Sequence, residues 1–438
     1  MEILPVKGTH DIYDLDAHIY SDIEARLTYV AILHNYKEIR TPIIEHTNLF
    51  VRGVGESSDI VNKEMYTFED KGGRSITLRP ELTAGIMRSI VSNKLYANAD
   101  LPLRYFYLGP CFRYERPQAG RYRQFHQFGI EAIGAPNYLQ DAEVISFGYH
   151  ALYILGIPGA KVYINSLGDD ESRAKYREAL KQYFAKHIDK MCGDCKRRFE
   201  TNPLRILDCK VEEDQEIIKG APKMSDYLSD DAKLYLNNVI SLLKEIGIET
   251  VVDDNLVRGL DYYTGVVFEY HVDKIEGVEN VGALGGGGHY AKLLKEVGGP
   301  DLEGVGLAFG VERLATIFQH ANKVKYEAGP DFYLIGMNQE IIDKNFSLAD
   351  IIRGKGMVVE ANYEVKSMKS LLKTAVKKQA KFAIIVGQEE VDTKRLVVKN
   401  LRSQEQTTIE LENFEATLES LLNEYDQESA KLALEDVK

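Results

Sequence analysis

The sequence predicts an α+β domain, interrupted by a mostly helical insertion and followed by a separate α/β domain. Three observations lead there. Residues 103–134 read as a long β-hairpin, two strands joined by a loop that contains Pro117 and Gly120. Residues 171–253 shift to charged stretches with helical spacing around a Cys- and Pro-containing middle. From Pro330 onward, short apolar strands alternate with helical stretches, the pattern of an α/β layer. At 438 residues the chain is long enough for two or three domains with filled cores.

Bulk properties narrow the class. Hydrophobic residues make up 44% and charged residues 28%, as in a soluble globular protein. There is no apolar run of the length a membrane helix needs, and the start, Met1 to Pro5, lacks the basic and apolar regions of a secretory signal. Four cysteines argue against a disulfide scaffold and fit a reducing, cytoplasmic setting. The formal net charge of −13 disfavours non-specific nucleic-acid binding, so an RNA partner requires local basic patches.

Taken in order, Lys7 to Asp11 is turn-like, and Ile19, Ile23, Leu27 and Val30 predict a helix over about 17–35. A strand over 38–45 carries Pro42, which cannot donate to a central ladder and so suits an edge or an interface. Met65 to Phe68 and Ser75 to Leu78 predict a hairpin around Asp70-Lys-Gly-Gly. Pro80 then suits the first turn of a helix with the apolar stripe Leu82, Ile86 and Ile90. Glu81 in that turn complements the helix dipole, whatever else it does.

In the long hairpin, strands over 103–115 and 124–134 flank a loop over 116–123. Period-2 alternation puts Arg113 and Glu115 on one face, and Phe125, Gln127 and Glu131 on one face of the second strand. Arg116, Arg121 and Arg123 crowd the loop. Arg-rich loops are usually solvated surface. So many guanidinium groups on one hairpin nevertheless suit an anion, and a nucleoside triphosphate fits.

A helix over 141–155, ended by Gly156 and Pro158, and a strand over 161–165 lead into the insertion. Its helices are expected over 172–188 and 229–246. Cys192-Gly-Asp-Cys195, with Cys209 downstream and His187 upstream, is a conceivable zinc set. It lacks a second close ligand pair, so ordinary buried thiols are the expectation and no metal ligand is assigned. Arg258-Gly-Leu-Asp-Tyr262-Tyr263 precedes a strand over 266–272, where paired tyrosines commonly pack half-buried. Gly285 to Gly288 permits close backbone approach before a helix over 291–297, although glycine runs of this kind are often just flexible turns. Gly304 to Leu314 is an apolar strand running into a helix, with Arg313 against the dipole of its first turns.

Residues 323–329 read as a linker. Beyond it, strands over 331–336, 357–361, 382–387 and 395–400, with helices between the first three, predict a largely parallel sheet. Lys366, Lys369, Lys373, Lys377, Lys378 and Lys381 form a stripe that is either a solvated face or a basic edge for RNA. The tail after Gln427 reads as loosely ordered.

The run Gly109-Pro-Cys-Phe-Arg113-Tyr-Glu115-Arg116, followed by Gly120-Arg-Tyr-Arg-Gln-Phe125-His-Gln127, resembles motif 2 of class II aminoacyl-tRNA synthetases, in the histidyl-tRNA synthetase version. Tyr36 to Pro42 resembles motif 1, which forms the dimer interface in that family, and Gly304 to Leu314 resembles motif 3. Arg258 to Tyr263 resembles the histidine-specific motif, and residues 330–425 resemble the anticodon-binding domain of subclass IIa. The resemblance covers about residues 1–425. It implies a catalytic domain over 1–325 with an antiparallel six-stranded sheet flanked by helices, the insertion at 171–253 lying over the acceptor end of tRNA, and a tail at 426–438. It also implies a homodimer without membrane association.

The implied reaction has two steps: histidine attacks the α-phosphate of ATP, giving histidyl-adenylate and pyrophosphate, and the acyl group then passes to the terminal ribose of tRNA(His). The family pattern makes Arg113 and Arg258 the catalytic pair, on the α-phosphate and substrate carboxylate. Arg258 stands where related enzymes use a metal ion. Arg121 and Arg313 take the terminal phosphates, Phe125 stacks on adenine and Glu115 belongs to the ATP site. Histidine is bound by Glu81, Leu82 and Thr83 near its ammonium, with Gln127 orienting it. Glu131 and Tyr262 or Tyr263 meet the two ring nitrogens, so an amino acid lacking those nitrogens would leave the site's own buried carboxyl and phenol unpaired. Magnesium accompanies ATP as part of the substrate, and no tightly bound cofactor is implied. A catalytically silent paralogue serving as a regulatory subunit in histidine biosynthesis would lack the anticodon domain and the arginines. Synthetases for threonine, proline or glycine would lack the Arg258–Tyr263 string.

Overall fold

A computed structural model describes residues 3–435 apart from 56, 57, 98, 118, 119, 136, 158, 273, 274, 276, 277, 279–281 and 323–328. Most of the linker read over 323–329, and Pro158 at the end of the helix before the insertion, lie outside the described residues. The chain divides into two compact units, residues 1–324 and 325–438. Among the described residues no helix is long and apolar enough to cross a membrane.

The first unit opens with α1 (Asp14–Leu33), whose Ile19, Ile23, Leu27 and Val30 face the core at helical spacing. The strand expected over 38–45 is instead two short ones, β1 (Lys37–Glu38) and β2 (Ile44–His46), in different sheets. Pro42 lies between them, where its missing N–H interrupts no ladder. After α2 (Thr47–Val54), β3 (Tyr66–Glu69) and β4 (Ser75–Leu78) pair as the expected hairpin, and β2 adds to β4. The Asp70 carboxylate closes the turn by accepting from the Gly72 and Arg74 amides. Helix α3 (Thr83–Ser92) begins three residues after Pro80, so Pro80 precedes the helix rather than entering it.

β5 (Leu103–Phe112) and β6 (Gln124–Ile133) form the long hairpin, in unbroken register from Leu103↔Ile133 to Phe112↔Gln124. Next come α4 (Tyr138–Ile154) and β7 (Ala160–Ser166). The insertion contributes α5 (Asp170–Phe184), α6 (Gly193–Thr201) and α7 (Glu212–Ile218), which share a small core of Tyr176, Leu180, Phe184, Met191, Ile206 and Met224. α8 (Asp230–Glu245) behaves differently: its Leu236, Val239 and Leu243 join the main core beside α4. β8 (Thr250–Val252), β9 (Thr264–Val272), β10 (Gly285–Tyr290), α9 (Leu293–Glu296), β11 (Gly304–Gly310) and α10 (Val311–Ala321) complete the unit.

The main sheet runs β1-β5-β6-β11-β10-β9-β7-β8. The six strands from β5 to β7 are antiparallel throughout, as the resemblance implied, and one short parallel strand extends each edge. The glycine run is therefore a central strand and not a turn before a helix. Its lack of side chains leaves room for what neighbouring strands project, and the helix expected over 291–297 shrinks to 293–296. Period-2 alternation sorts the sheet. Phe128, Ile130, Phe268, Val305 and Phe309 face the helical layer of α1, α4, α8 and α10. The intervening residues face a cavity.

The second unit is a five-stranded sheet in the order β13-β12-β14-β15-β16: β12 (Phe332–Gly336), β13 (Val359–Ala361), β14 (Phe382–Val386), β15 (Arg395–Asn400) and β16 (Gln406–Glu410). β13, β12 and β14 are parallel, while β15 and β16 are antiparallel, so the sheet is mixed rather than largely parallel. Its crossover helices are α11 (Gln339–Gly354) and α12 (Met368–Lys377), and α13 (Gln388–Thr393) precedes β15. The last helix, α14 (Phe414–Glu435), continues through most of the stretch read as a loose tail.

Candidate active site

The cavity holds about 670 Å³ and lies on the face of the main sheet opposite the helical layer. Phe125, Gln127 and Glu131 reach it from β6, and Arg113 from just beyond the end of β5. Glu81 and Thr83 arrive from the start of α3, Arg258, Tyr262 and Tyr263 from the segment before β9, and Arg313 from the first turn of α10. Glu115 and Arg121 close it from the hairpin loop.

Four guanidinium groups from separate segments meet here. Arg113 Nε donates to Pro80 O at 2.9 Å, and its Cζ lies 5.1 Å from the Phe125 ring centroid. Arg113 and Arg121 stand 3.9 and 3.7 Å from the Glu115 carboxylate, too long for tight pairs. Arg313 Nη1 donates to Ala283 O at 2.6 Å. Burial lowers the Arg313 pKa, and the nearby Arg121 cation lowers it further. Two cations facing each other in a half-buried cleft form a site an anion would relieve.

Arg258 pairs through Nη1 with Glu269 and lies 5.7 Å from the Tyr263 ring centroid. Its Nε is buried and makes no hydrogen bond among the described residues. Burial opposes its charge, but Glu269 and the two tyrosines outweigh that and raise its pKa. It is a fixed cation with a donor to spare.

The other end of the cavity is acidic and phenolic. Glu131 Oε1 accepts from Thr83 Oγ1 at 2.6 Å and Tyr107 Oη at 3.3 Å, and Oε2 accepts from Tyr290 Oη at 2.7 Å. Burial pushes its pKa up to about 8, assisted by the Glu81 carboxylate and opposed by the hydroxyl donors. Oε2 keeps acceptor capacity for one more donor. Tyr262 and Tyr263 rings stack obliquely at 4.5 Å, and burial raises both phenol pKa values. Gly306 on β11 sits against Glu131, so a Cβ there would collide with the carboxylate. Glu81 accepts from the Thr83 and Ala84 amides, both at 2.7 Å, and thus caps α3 as its dipole position suggested. Burial raises its pKa as well.

All the site residues expected from the sequence line this one cavity, except Leu82. Leu82 is 2% exposed and packs with Ile86 and Met87 in the core, because the helix stripe that made it apolar also points it inward. Tyr107, Tyr290 and Glu269 were not anticipated. Tyr107 shares the parity of Arg113 on one strand, a signal that could have exposed it. Glu269 reaches in from β9 and Tyr290 supports Glu131 from β10, two strands whose neighbours in the sheet are not readable from local pattern. The insertion supplies a further wall through Arg198 and Arg205, which lie 2.8 and 3.2 Å from Asp59, a carboxylate that also pairs with Arg197 at 2.6 Å. Cys192 and Cys209 border the same cavity.

Comparison with known proteins identifies the family. Residues 8–314 match the family model described as histidyl-tRNA synthetase, and residues 331–421 match that of an anticodon binding domain. A histidine–tRNA ligase of Bacillus licheniformis is 46% identical over 409 residues, covering 93% of this chain and 96% of its own. One of Halothermothrix orenii is 44% identical over 423 residues, covering 96% and 100%. The solved apo histidyl-tRNA synthetase of S. aureus superposes with a TM-score of 0.80 at 37% identity, covering 95% of this chain and all of that one.

Proposed function

We propose, from the premise that this chain belongs to the histidyl-tRNA synthetase family, a division of labour among the residues of its cavity. The enzyme is a histidine–tRNA ligase: it activates L-histidine with ATP to histidyl-adenylate and pyrophosphate, then transfers histidine to the terminal ribose of tRNA(His). In the first step a carboxylate oxygen of histidine attacks the α-phosphate and pyrophosphate leaves. The protein's part is to hold two anions together and to neutralise charge as it moves to the leaving group.

Arg113 and Arg258 bridge the α-phosphate and the substrate carboxylate. The spare Nε of Arg258 supports this, since a donor buried without a partner is costly unless a ligand satisfies it. Arg121 and Arg313 hold the outer phosphates with their magnesium, which enters as part of the ATP substrate. Phe125, already under the Arg113 guanidinium, stacks on adenine, and Glu115 keeps Arg113 and Arg121 poised at its carboxylate. Glu81 and Thr83 take the ammonium, and Gln127 orients the amino acid. Glu131 receives the imidazole N–H, with Tyr263 or Tyr262 at the other ring nitrogen.

The observation that carries the reading is the meeting of four guanidinium groups beside a buried carboxyl ringed by hydroxyls. Histidine-dependent exchange of labelled pyrophosphate into ATP is the expected activity. Absence of exchange at saturating histidine would refute it. Homodimerisation through the motif-1 region, 36–42, fits the exposure of Ile43 and Ile44 just after it in sequence, at 40% and 51%. Residues 331–421 serve the anticodon stem, the insertion covers the acceptor end, and the enzyme works in the cytoplasm.

A further inference from the structure

We propose that the insertion holds a structural zinc ion on Cys192, Cys195, Cys209 and Asp214. The ligand atoms of these four residues all lie within 4.8 Å of one another. Cys192 and Cys209 Sγ are 3.8 Å apart. That matches the edge of a tetrahedron with zinc–sulfur bonds of about 2.3 Å. Asp214 Oδ2 is 3.2 Å from Cys209 Sγ. His187, the other candidate read from the sequence, is not in the group; its ring packs 5.2 Å from that of Tyr183. The fourth donor is a carboxylate five residues after Cys209, which a search for Cys and His spacing passes over.

Two further observations separate this from three ordinary thiols. Cys195 and Cys209 are 0% and 4% exposed, as apolar thiols commonly are, but Asp214 is also only 1% exposed. Among the described residues no lysine, arginine or histidine forms an ion pair with it, and the hydrogen bonds it accepts come from the Cys192 amide and the three cysteine thiols. A buried carboxylate is normally paired or bound to metal. Backbone amides also point at the sulfurs: Cys195 N lies 3.4 Å from Cys192 Sγ, and Val211 N lies 3.5 Å from Cys209 Sγ. Such donors stabilise thiolates around a metal.

The four ligands come from the start of α6, the end of the 203–208 turn and the first turn of α7. Those segments share only a small apolar core, the situation in which a metal supplements burial. A zinc ion would fix α6, and with it Arg197 and Arg198 against Asp59 at the cavity wall. Three thiol protons would be released on binding.

The test uses the full chain, expressed with zinc supplementation and purified without chelator. About one zinc per chain is expected by elemental analysis, with cobalt replacing it to give tetrahedral ligand-field and sulfur-to-cobalt bands. Cys195→Ser and Asp214→Asn should each lower the retained zinc, and a chelator should lower the parent's melting temperature but not that of Cys195→Ser. Because the unmodified chain carries the primary measurement, a variant that fails to fold leaves the test intact. Zinc-free protein whose four thiols titrate equally with and without added zinc would overturn the proposal, as would a disulfide among the three cysteines.

Discussion

Arg258 is held by contacts that a ligand would have to share or replace. Its Nη1 rests on Glu269, its face lies near Tyr263, and its Nε is left over. A pyrophosphate-leaving reaction gathers negative charge at the α-phosphate, so a cation fixed there acts more on the transition state than on bound histidine. Arg258→Ala is therefore expected to slow pyrophosphate exchange by about 10²–10³-fold, the scale of losing one preorganised donor. Histidine binding, read by calorimetry without ATP, should weaken far less. Equal losses in the two measurements would show that Arg258 serves binding alone. The residue itself was legible because it sits in an unusual string, Arg258-Gly-Leu-Asp-Tyr262-Tyr263. Its Glu269 partner was not, since that contact depends on which strand follows and how far it twists. The ring of hydroxyls around Glu131 was hidden for the same reason: Thr83, Tyr107 and Tyr290 come from three elements far apart in sequence.

The glycine strand β10 shows where element-level reading gives way. Four consecutive glycines lack the side chains that mark a strand, so propensity points to a turn. Sheet position overrides it: Gly286 lies against Arg258 and Gly288 against Tyr263, and a Cβ at either would crowd the site. Long periodic elements such as α1, the β5–β6 hairpin and α10 were legible because burial alone sets their pattern. The end of this strand is pinned by His289, whose Nδ1 lies 3.1 Å from Asp141 of α4 and whose Nε2 lies 2.8 Å from Glu303. Tyr235 Oη also donates to Asp141 at 3.2 Å. Burial alone would depress the His289 pKa, but Asp141 and Glu303 reverse this and push it up to about 10. Its folded pKa thus exceeds the unfolded value of about 6.5. The resulting stabilisation is full below that value and is lost as pH rises through about 10. His289→Leu leaves Asp141 buried without its cation, a loss of about 3–5 kcal/mol near pH 6. The gap in melting temperature between parent and variant should narrow toward pH 10; a gap independent of pH would refute a charged His289.

At the scale of the whole molecule, the chain must bring a polyanion to an acidic body of formal charge −13. Only local positive charge can do that. The lysine stripe around α12 divides into two groups. Lys366, Lys378 and Lys381 pair with Glu364, Glu360 and the two carboxylates of Asp331 and Asp426. Lys369, Lys373 and Lys377 are exposed at helical spacing and form no ion pair among the described residues. A purely solvated face would tolerate reversal of these three charges with little consequence. If they meet tRNA phosphates, Lys369→Glu, Lys373→Glu and Lys377→Glu together should raise the KM for tRNA and flatten its dependence on salt. Three lost phosphate contacts correspond to a change of about 2–3 in the slope of log K against log salt. Pyrophosphate exchange should be unchanged, because the four arginines proposed to serve it all belong to the first unit. An unaltered tRNA KM and salt slope would return the stripe to ordinary surface. A parallel fall in exchange would mean that the substitutions damage the fold and not an RNA contact.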